Sequence, residues 1–188
     1  MEVEGVGKMR SVMLSIKPKY CELIVSGKKT IEVRKTRPKI ETPFKCLIYE
    51  CKGKKVSKII DIPKEQGGGV LDYYEYEGCG KVIGEFVCDK IYQYTTCDIK
   101  DGVDISDEDM TRLSCLTKGE IKGYELSPSK FGIFGWHISD LVIYDKPKVL
   151  SKFTNKSSQF TFSKDGALVY KGLKRPPQSW CYVEEKVK

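Results

Sequence analysis

The sequence predicts an α+β domain built mostly from strands, on three observations. Apolar and polar residues alternate with period two at Ile31 and Val33 against Thr30, Glu32 and Arg34, and the strand pattern recurs over residues 81–94 and 131–144. Helical spacing is confined to two short stretches that carry their own start and stop residues. Gly132 and Gly135 interrupt the last apolar run and mark bends, as in a closed or strongly curved sheet.

Residues 1–10, with two glycines and no apolar core, read as a loose tail rather than a secretion signal. Residues 13–16 form a short apolar strand. Pro18 suits a first helical turn because its missing N–H has no partner to lose there, and Gly27 stops the helix. Tyr20, Cys21, Leu23 and Ile24 share its buried face, with Lys19, Glu22 and Ser26 toward water. The strand over residues 30–35 follows. Residues 44–50, apolar on both faces, read as a central strand, and 56–62 as another. The Gly67-Gly68-Gly69 run and the tyrosine-rich segment after it read as a surface loop with a one- or two-turn helix near Leu71.

Residues 81–94 give the longest strand signal, with Glu85 between Ile83 and Val87 on one face. A charge among apolar neighbours is costly unless it is paired, so Glu85 either lies at a solvated edge or meets a cation, for which Lys29 and Arg34 are the candidates. Ser106 ahead of Asp107, Glu108 and Asp109 is a helix start, because carboxylates favour the positive end of a helix. Met110, Leu113 and Leu116 or Thr117 then form its buried stripe, and Gly119 its stop. Within 131–144, Trp136 packs and His137 is a core or hydrogen-bonded residue. Residues 149–153 read as a short strand, and 160–170, with Asp165-Gly166 at the turn, as a hairpin. The segment from Arg175 to Val183 is extended, kept at an edge by its prolines, with Trp180 and Tyr182 anchoring the C-terminus or offering a stacking platform.

The polar chemistry is concentrated between Ser15 and Arg34. Lys29 stands at the entrance of a strand whose polar row is Thr30, Glu32 and Arg34, so an ammonium, a carboxylate and a guanidinium converge near the end of the first helix. Two readings remain open on spacing alone: a pocket for an anionic or hydrogen-bonding ligand, or an exposed strand face with a surface ion pair.

The chain has 188 residues, 40% hydrophobic and 31% charged, the balance of one ordinary globular domain with no apolar run long enough for a membrane span. A cytoplasmic location is expected. Eight cysteines, none in a Cys-x-x-Cys pair, read as free thiols, and with His137 the only histidine no metal site and no cofactor are expected. The net charge of +7 is unevenly spread: residues 8–58 hold fifteen Lys and Arg against four Glu, a local +11, whereas residues 98–125 carry a local −4. A basic half around a polar strand suits a polyanion such as nucleic acid.

The runs Leu-Ser-Ile-Lys-Pro-Lys-Tyr and Ser-Gly-Lys-Lys-Thr-Ile-Glu-Val-Arg-Lys resemble the opening of ASCH domains, relatives of the PUA barrel, whose signature G-x-K-x-x-x-x-R falls here on Gly27, Lys29 and Arg34. Downstream, residues 135–148 and 175–183 are similar to ASCH proteins of bacteria and their phages. The resemblance implies a PUA-like closed, mostly antiparallel β-barrel over residues 11–188, with short helices at its ends and a hairpin extension from about residue 154. It also implies a cleft beside the signature, in a family read as RNA-binding and sometimes hydrolytic. In such a barrel the 30–34 strand is expected beside the 81–94 strand.

Two departures qualify the resemblance. Small ASCH enzymes that deacetylate acetylcytidine use a lysine, a threonine three residues on as nucleophile, and a glutamate from a later strand. Lys29 and Glu85 match, but Glu32 occupies the threonine's place, and a carboxylate cannot take a hydroxyl's part without a different intermediate. The cysteine cluster of similar phage-type proteins is missing too, since residues 154–175 contain no cysteine. The leading expectation is therefore an RNA- or nucleotide-binding cleft formed by Lys17, Lys29, Thr30, Glu32 and Arg34. The alternatives are a hydrolase, either a ribonuclease or a nucleoside amidohydrolase, using Lys29, Glu32 and Glu85, and an accessory module without chemistry. A protein partner and the oligomeric state are not legible.

Overall fold

The computed structural model describes residues 11–53, 57–62, 69–74, 77–95, 104–125, 132–155, 160–166 and 168–185, so the expected N-terminal tail lies outside the described residues. β1 (Ser11–Ile16), α1 (Pro18–Val25), β2 (Ile31–Arg34), β3 (Phe44–Glu50), β4 (Ser57–Ile62), β5 (Gly69–Tyr74), β6 (Val82–Cys88) and β7 (Ile91–Tyr94) come first. There follow α2 (Asp107–Ser114), α3 (Lys118–Glu125), β8 (Ile133–His137), β9 (Ser139–Lys148), β10 (Phe153–Thr154), β11 (Phe160–Phe162), β12 (Leu168–Tyr170) and β13 (Trp180–Glu185). The α+β class is as the sequence predicts.

The described sheets are not closed. A six-stranded sheet runs β10-β13-β1-β3-β6-β9, and a separate three-stranded sheet runs β2-β8-β7. Nor is the larger sheet wholly antiparallel, because β1 and β3 pair in parallel from Val12↔Cys46 to Ile16↔Glu50. The cause lies in the connection. A parallel neighbour needs a long crossover, and residues 17–43, carrying α1 and β2, supply it while β2 departs to the second sheet.

Two predicted long strands are each broken where the chain passes from one sheet to the other. The 81–94 run divides at Asp89 and Lys90, whose carbonyl accepts from His137 N at 2.9 Å. The 131–144 run divides at Ile138, which donates to Thr30 O at 2.9 Å. As a result β2 lies beside β8, and meets the 81–94 run only through β7 on the far side of β8. The interruptions fall at 89–90 and 138 rather than at Gly135, which lies within β8.

Four other expectations change, among them the short strand over 149–153. The segment around Leu71 is strand β5, paired with β4, not a helix. The second helix ends early, at Cys115 in the left-handed region (φ 54°). A third helix begins beyond Thr117, whose hydroxyl accepts from Glu120 N at 3.2 Å while Glu120 Oε2 accepts from Thr117 N at 2.8 Å. This reciprocal cap places Gly119 inside α3 rather than at a stop. β13 is not an edge, since it lies between β10 and β1 with its prolines just ahead of it. The 160–170 hairpin forms as predicted, and residues 150–152 form a 3₁₀ turn before β10.

Each sheet buries what its alternation dictates. Leu14, Cys46, Ile48, Phe86 and Trp136 meet α1's Cys21 and Ile24 in the main core. Ile31 and Val33 turn the opposite face of the small sheet to Met110, Leu116 and Ile121 of the α2–α3 segment. Glu32 and Arg34, on the other face of β2, therefore point between the two sheets. Phe86→Ala, which empties a position 1% exposed, is expected to cost about 3–5 kcal/mol, read as a lowered urea midpoint at an unchanged m-value.

Candidate functional site: a buried Lys–Glu–Arg triad

A four-residue strand, Ile-Glu-Val-Arg, is buried at every position. Lys29, Glu32 and Arg34 are 2%, 6% and 9% exposed, which removes the exposed-face reading of the polar row. Glu32 lies between the two cations: Oε2 is 3.3 Å from Lys29 Nζ and Oε1 is 3.0 Å from an Arg34 terminal nitrogen. Three buried charges are expensive to desolvate, and further acceptors on Ser114, Ser15 and Ser179 offset part of that cost.

Lys29 Nζ donates to Ser114 O at 2.7 Å, at the C-terminal end of α2 where the helix dipole favours a cation. It also lies 5.3 Å from the centre of the Tyr20 ring. Arg34 donates to Ser15 O at 2.9 Å and reaches Ser179 Oγ at 3.5 Å, linking β2 to β1 and to the segment ahead of β13. Further bonds close α2 onto the entrance of β2, Thr30 N to Leu113 O at 2.9 Å and Cys115 Sγ to Lys28 O at 3.3 Å. Tyr20 donates to Glu120 Oε1 at 3.1 Å, and burial followed by the Glu120 charge pushes its phenol well above the ordinary 10.0.

The predicted residues thus separate. Lys29, Glu32 and Arg34 meet in one cluster; Thr30 contributes backbone bonds to Leu113 and Ile138. Lys17 is exposed at the start of α1, where its carbonyl accepts from Tyr20 N and Cys21 N, and its charge is felt at Cys51, as is that of Arg34. Glu85 is elsewhere: it pairs with Lys45 at 2.7 Å and accepts from Tyr144 at 2.5 Å, not with Lys29 or Arg34. Strand alternation explains this, because Val82, Gly84, Phe86 and Cys88 take the buried positions of β6 and leave Glu85 on the alternate face. Burial raises the Glu85 carboxyl, but hydrogen bonds from Lys45 and Tyr144 and the charges of Lys45 and Lys148 outweigh it and hold the group below its ordinary 4.5.

Several functional partners were not visible in sequence. Ser15 O, Ser114 O and Ser179 are selected by tertiary packing, and Ser114 simply completes an acidic-capped helix. His137 pairs with Asp89 at 2.6 Å, consistent with a hydrogen-bonded rather than isolated histidine. Two buried donors, Arg34 Nε and Trp136 Nε1, have no hydrogen-bond partner among the described residues. Trp136 stands directly across from Glu32 in the β2–β8 pairing, so both orphans belong to the face that carries the triad. Among the described residues no group of three His, Cys, Asp or Glu side chains could hold a metal, and no helix is long and apolar enough to cross a membrane.

The class is that of an α+β fold in which Gly27 and Lys29 lead into β2 and Arg34 ends it. Residues 14–101 match the family model of the ASCH domain. A serine-to-alanine variant of the ASCH protein from Zymomonas mobilis superposes with a TM-score of 0.54 at 16% identity, covering 94% of this chain and 90% of that one. The crystal structure of ASCH from the same organism gives 0.48 at 18% identity, over 74% and 73% of the two chains. No curated protein matches the chain.

Glu32→Gln leaves two cations buried without their anion, and a loss of about 3–5 kcal/mol is expected by chemical denaturation. Glu85→Gln tests the other carboxylate through pH. Because the folded Glu85 is held below 4.5, its contribution is complete above that pH and is lost as pH falls through the lower folded value. The stability gap between parent and Glu85→Gln is therefore expected to be widest near neutrality and to close as the pH falls below the ordinary carboxylate range.

Proposed function

We propose that the protein binds RNA, with the Lys29–Glu32–Arg34 triad as the floor of the binding cleft. The observation that carries the reading is the triad itself: three charges with a net +1, buried together, beside two buried N–H donors without partners among the described residues. Buried donors are normally satisfied, and apolar residues would fill such a space at lower cost. A ligand rich in carbonyl and phosphate oxygens suits both the charge and the donors, and the ASCH resemblance points to RNA.

The three charges take different parts. Lys29 is sealed by α2 and spends its donors on Ser114 O and Glu32, so it positions Glu32 rather than touching RNA. Arg34 lies nearest the surface, bordered by Ser15 and the exposed Ser179. It is the contact for a base edge or phosphate, and exposed Lys17 takes a neighbouring phosphate. Catalysis by a pair of carboxylates draws no support, because Glu32 has both oxygens on cations and Glu85 pairs with Lys45 and Tyr144.

Fluorescence anisotropy with a labelled single-stranded RNA of mixed sequence provides the test. Lys17→Ala is expected to weaken binding and to reduce the slope of log K against log salt by about one, whereas Lys164→Ala on the β11–β12 turn is expected to leave both unchanged. A parent protein that does not bind RNA even at low salt would refute the proposal.

A further inference from the structure

Beyond the triad, the loop that follows β2 lines an open pocket of about 790 Å³ with Arg37, Pro38, Lys39, Ile40, Glu41 and Thr42, and Ile91 borders it as well. Its volume is that of a small-ligand site. The loop is fixed rather than loosely draped: Thr36 Oγ1 accepts from Trp180 Nε1 at 3.0 Å, and Lys39 N donates to Tyr182 at 2.8 Å. Trp180 and Tyr182 are themselves packed edge to face at 5.5 Å. Arg37 lies 5.9 Å over the ring of Phe134, and Phe134 is the residue directly across from Arg34. One cross-strand pair therefore separates the cavity from the triad, and Ile91 stands across from Trp136, the holder of one unpaired donor.

The cavity wall combines two chemistries. The Arg37 and Lys39 side chains are exposed and make no ion pair among the described residues, in contrast to Lys29 and Arg34. Ile40 and Ile91, both partly exposed, supply apolar surface beside the buried Pro38, and Glu41 adds an exposed carboxylate. We infer that this cavity takes one nucleotide of the bound strand, with its phosphate on Arg37 and Lys39, its base against Pro38, Ile40 and Ile91, and a base amino group donating to Glu41. The inference rests on the RNA reading but assigns a second contact, and it adds a preference: cytosine and adenine carry an exocyclic amino group, whereas both exocyclic groups of uracil are carbonyl acceptors and its donor at the pairing edge is the ring N3–H.

The experiment compares labelled C10, A10 and U10 RNA at matched salt with the parent, Arg37→Ser/Lys39→Ser, Glu41→Gln and Lys17→Ala. All four positions are exposed, so the variants are expected to fold, with thermal melts as the check. The double variant is expected to bind every strand about tenfold more weakly and with a shallower salt slope. Glu41→Gln is expected to lose most of the advantage of C10 and A10 over U10. Binding by the double variant within twofold of the parent, while Lys17→Ala weakens, would overturn the cavity assignment and leave the RNA reading standing. Equal binding of all three strands by the parent would overturn the base-amino contact, and absence of binding by the parent would remove both readings. A titration with free CMP separates the remaining case: saturation by CMP without binding of any strand would make the cavity a small-nucleotide site and overturn its assignment to a strand.

Discussion

Three charges placed where the protein excludes water hold the rest of the structure in position. Glu32 is balanced by Lys29 and Arg34, and each cation has a second acceptor, because a buried charge left without partners is costly. Lys29 therefore requires Ser114 O at the end of α2, and Arg34 requires Ser15 O on β1 and the neighbourhood of Ser179. One carboxylate thus couples the small sheet to the large sheet and to the α2–α3 segment, three units that apolar packing alone would allow to slide against one another.

On the RNA reading proposed above, the same constraint divides the labour of binding. With Lys29 closed off, the positive charge available to a ligand lies outward from the triad, first at Arg34 and Lys17 and then, across Phe134, at Arg37 and Lys39. A preorganised loop adds to this, because its contacts to Trp180 and Tyr182 are made before any ligand arrives and less ordering is left to be paid for on association. The acidic first turn of α2, Asp107 to Asp109, caps its own helix, so the charge polarity of the sequence reappears as a basic mouth and a separately capped helical segment.

What the sequence revealed follows from how local each determinant is. Alternation and caps act over a few residues, so β1, α1, β2, β3 and the 160–170 hairpin were legible, as was the convergence of Lys29, Glu32 and Arg34 within six positions. Sheet membership is not local. Nothing in residues 81–94 marks the passage from one sheet to the other at Asp89, and nothing in β13 shows that it will lie between β10 and β1. Glu85 illustrates the limit: the rule that a charge among apolar residues needs a cation was sound, but its partner, Lys45, is set by the β3–β6 register. Burial of the polar row escaped for a similar reason, because it depends on α2 and on Ser15 closing around β2 from distant parts of the chain.

The most direct measurement is photo-cross-linking of the intact protein to a mixed-sequence RNA carrying 4-thiouridine, with the attached peptides mapped by mass spectrometry. Binding at the triad's mouth predicts cross-links in three stretches that are distant in sequence and adjacent in the fold: Lys17 to Tyr20, Arg34 to Thr42, and Pro177 to Trp180. Cross-links concentrated instead on β9 or on the β11–β12 hairpin would contradict it and leave the buried triad as a structural device alone.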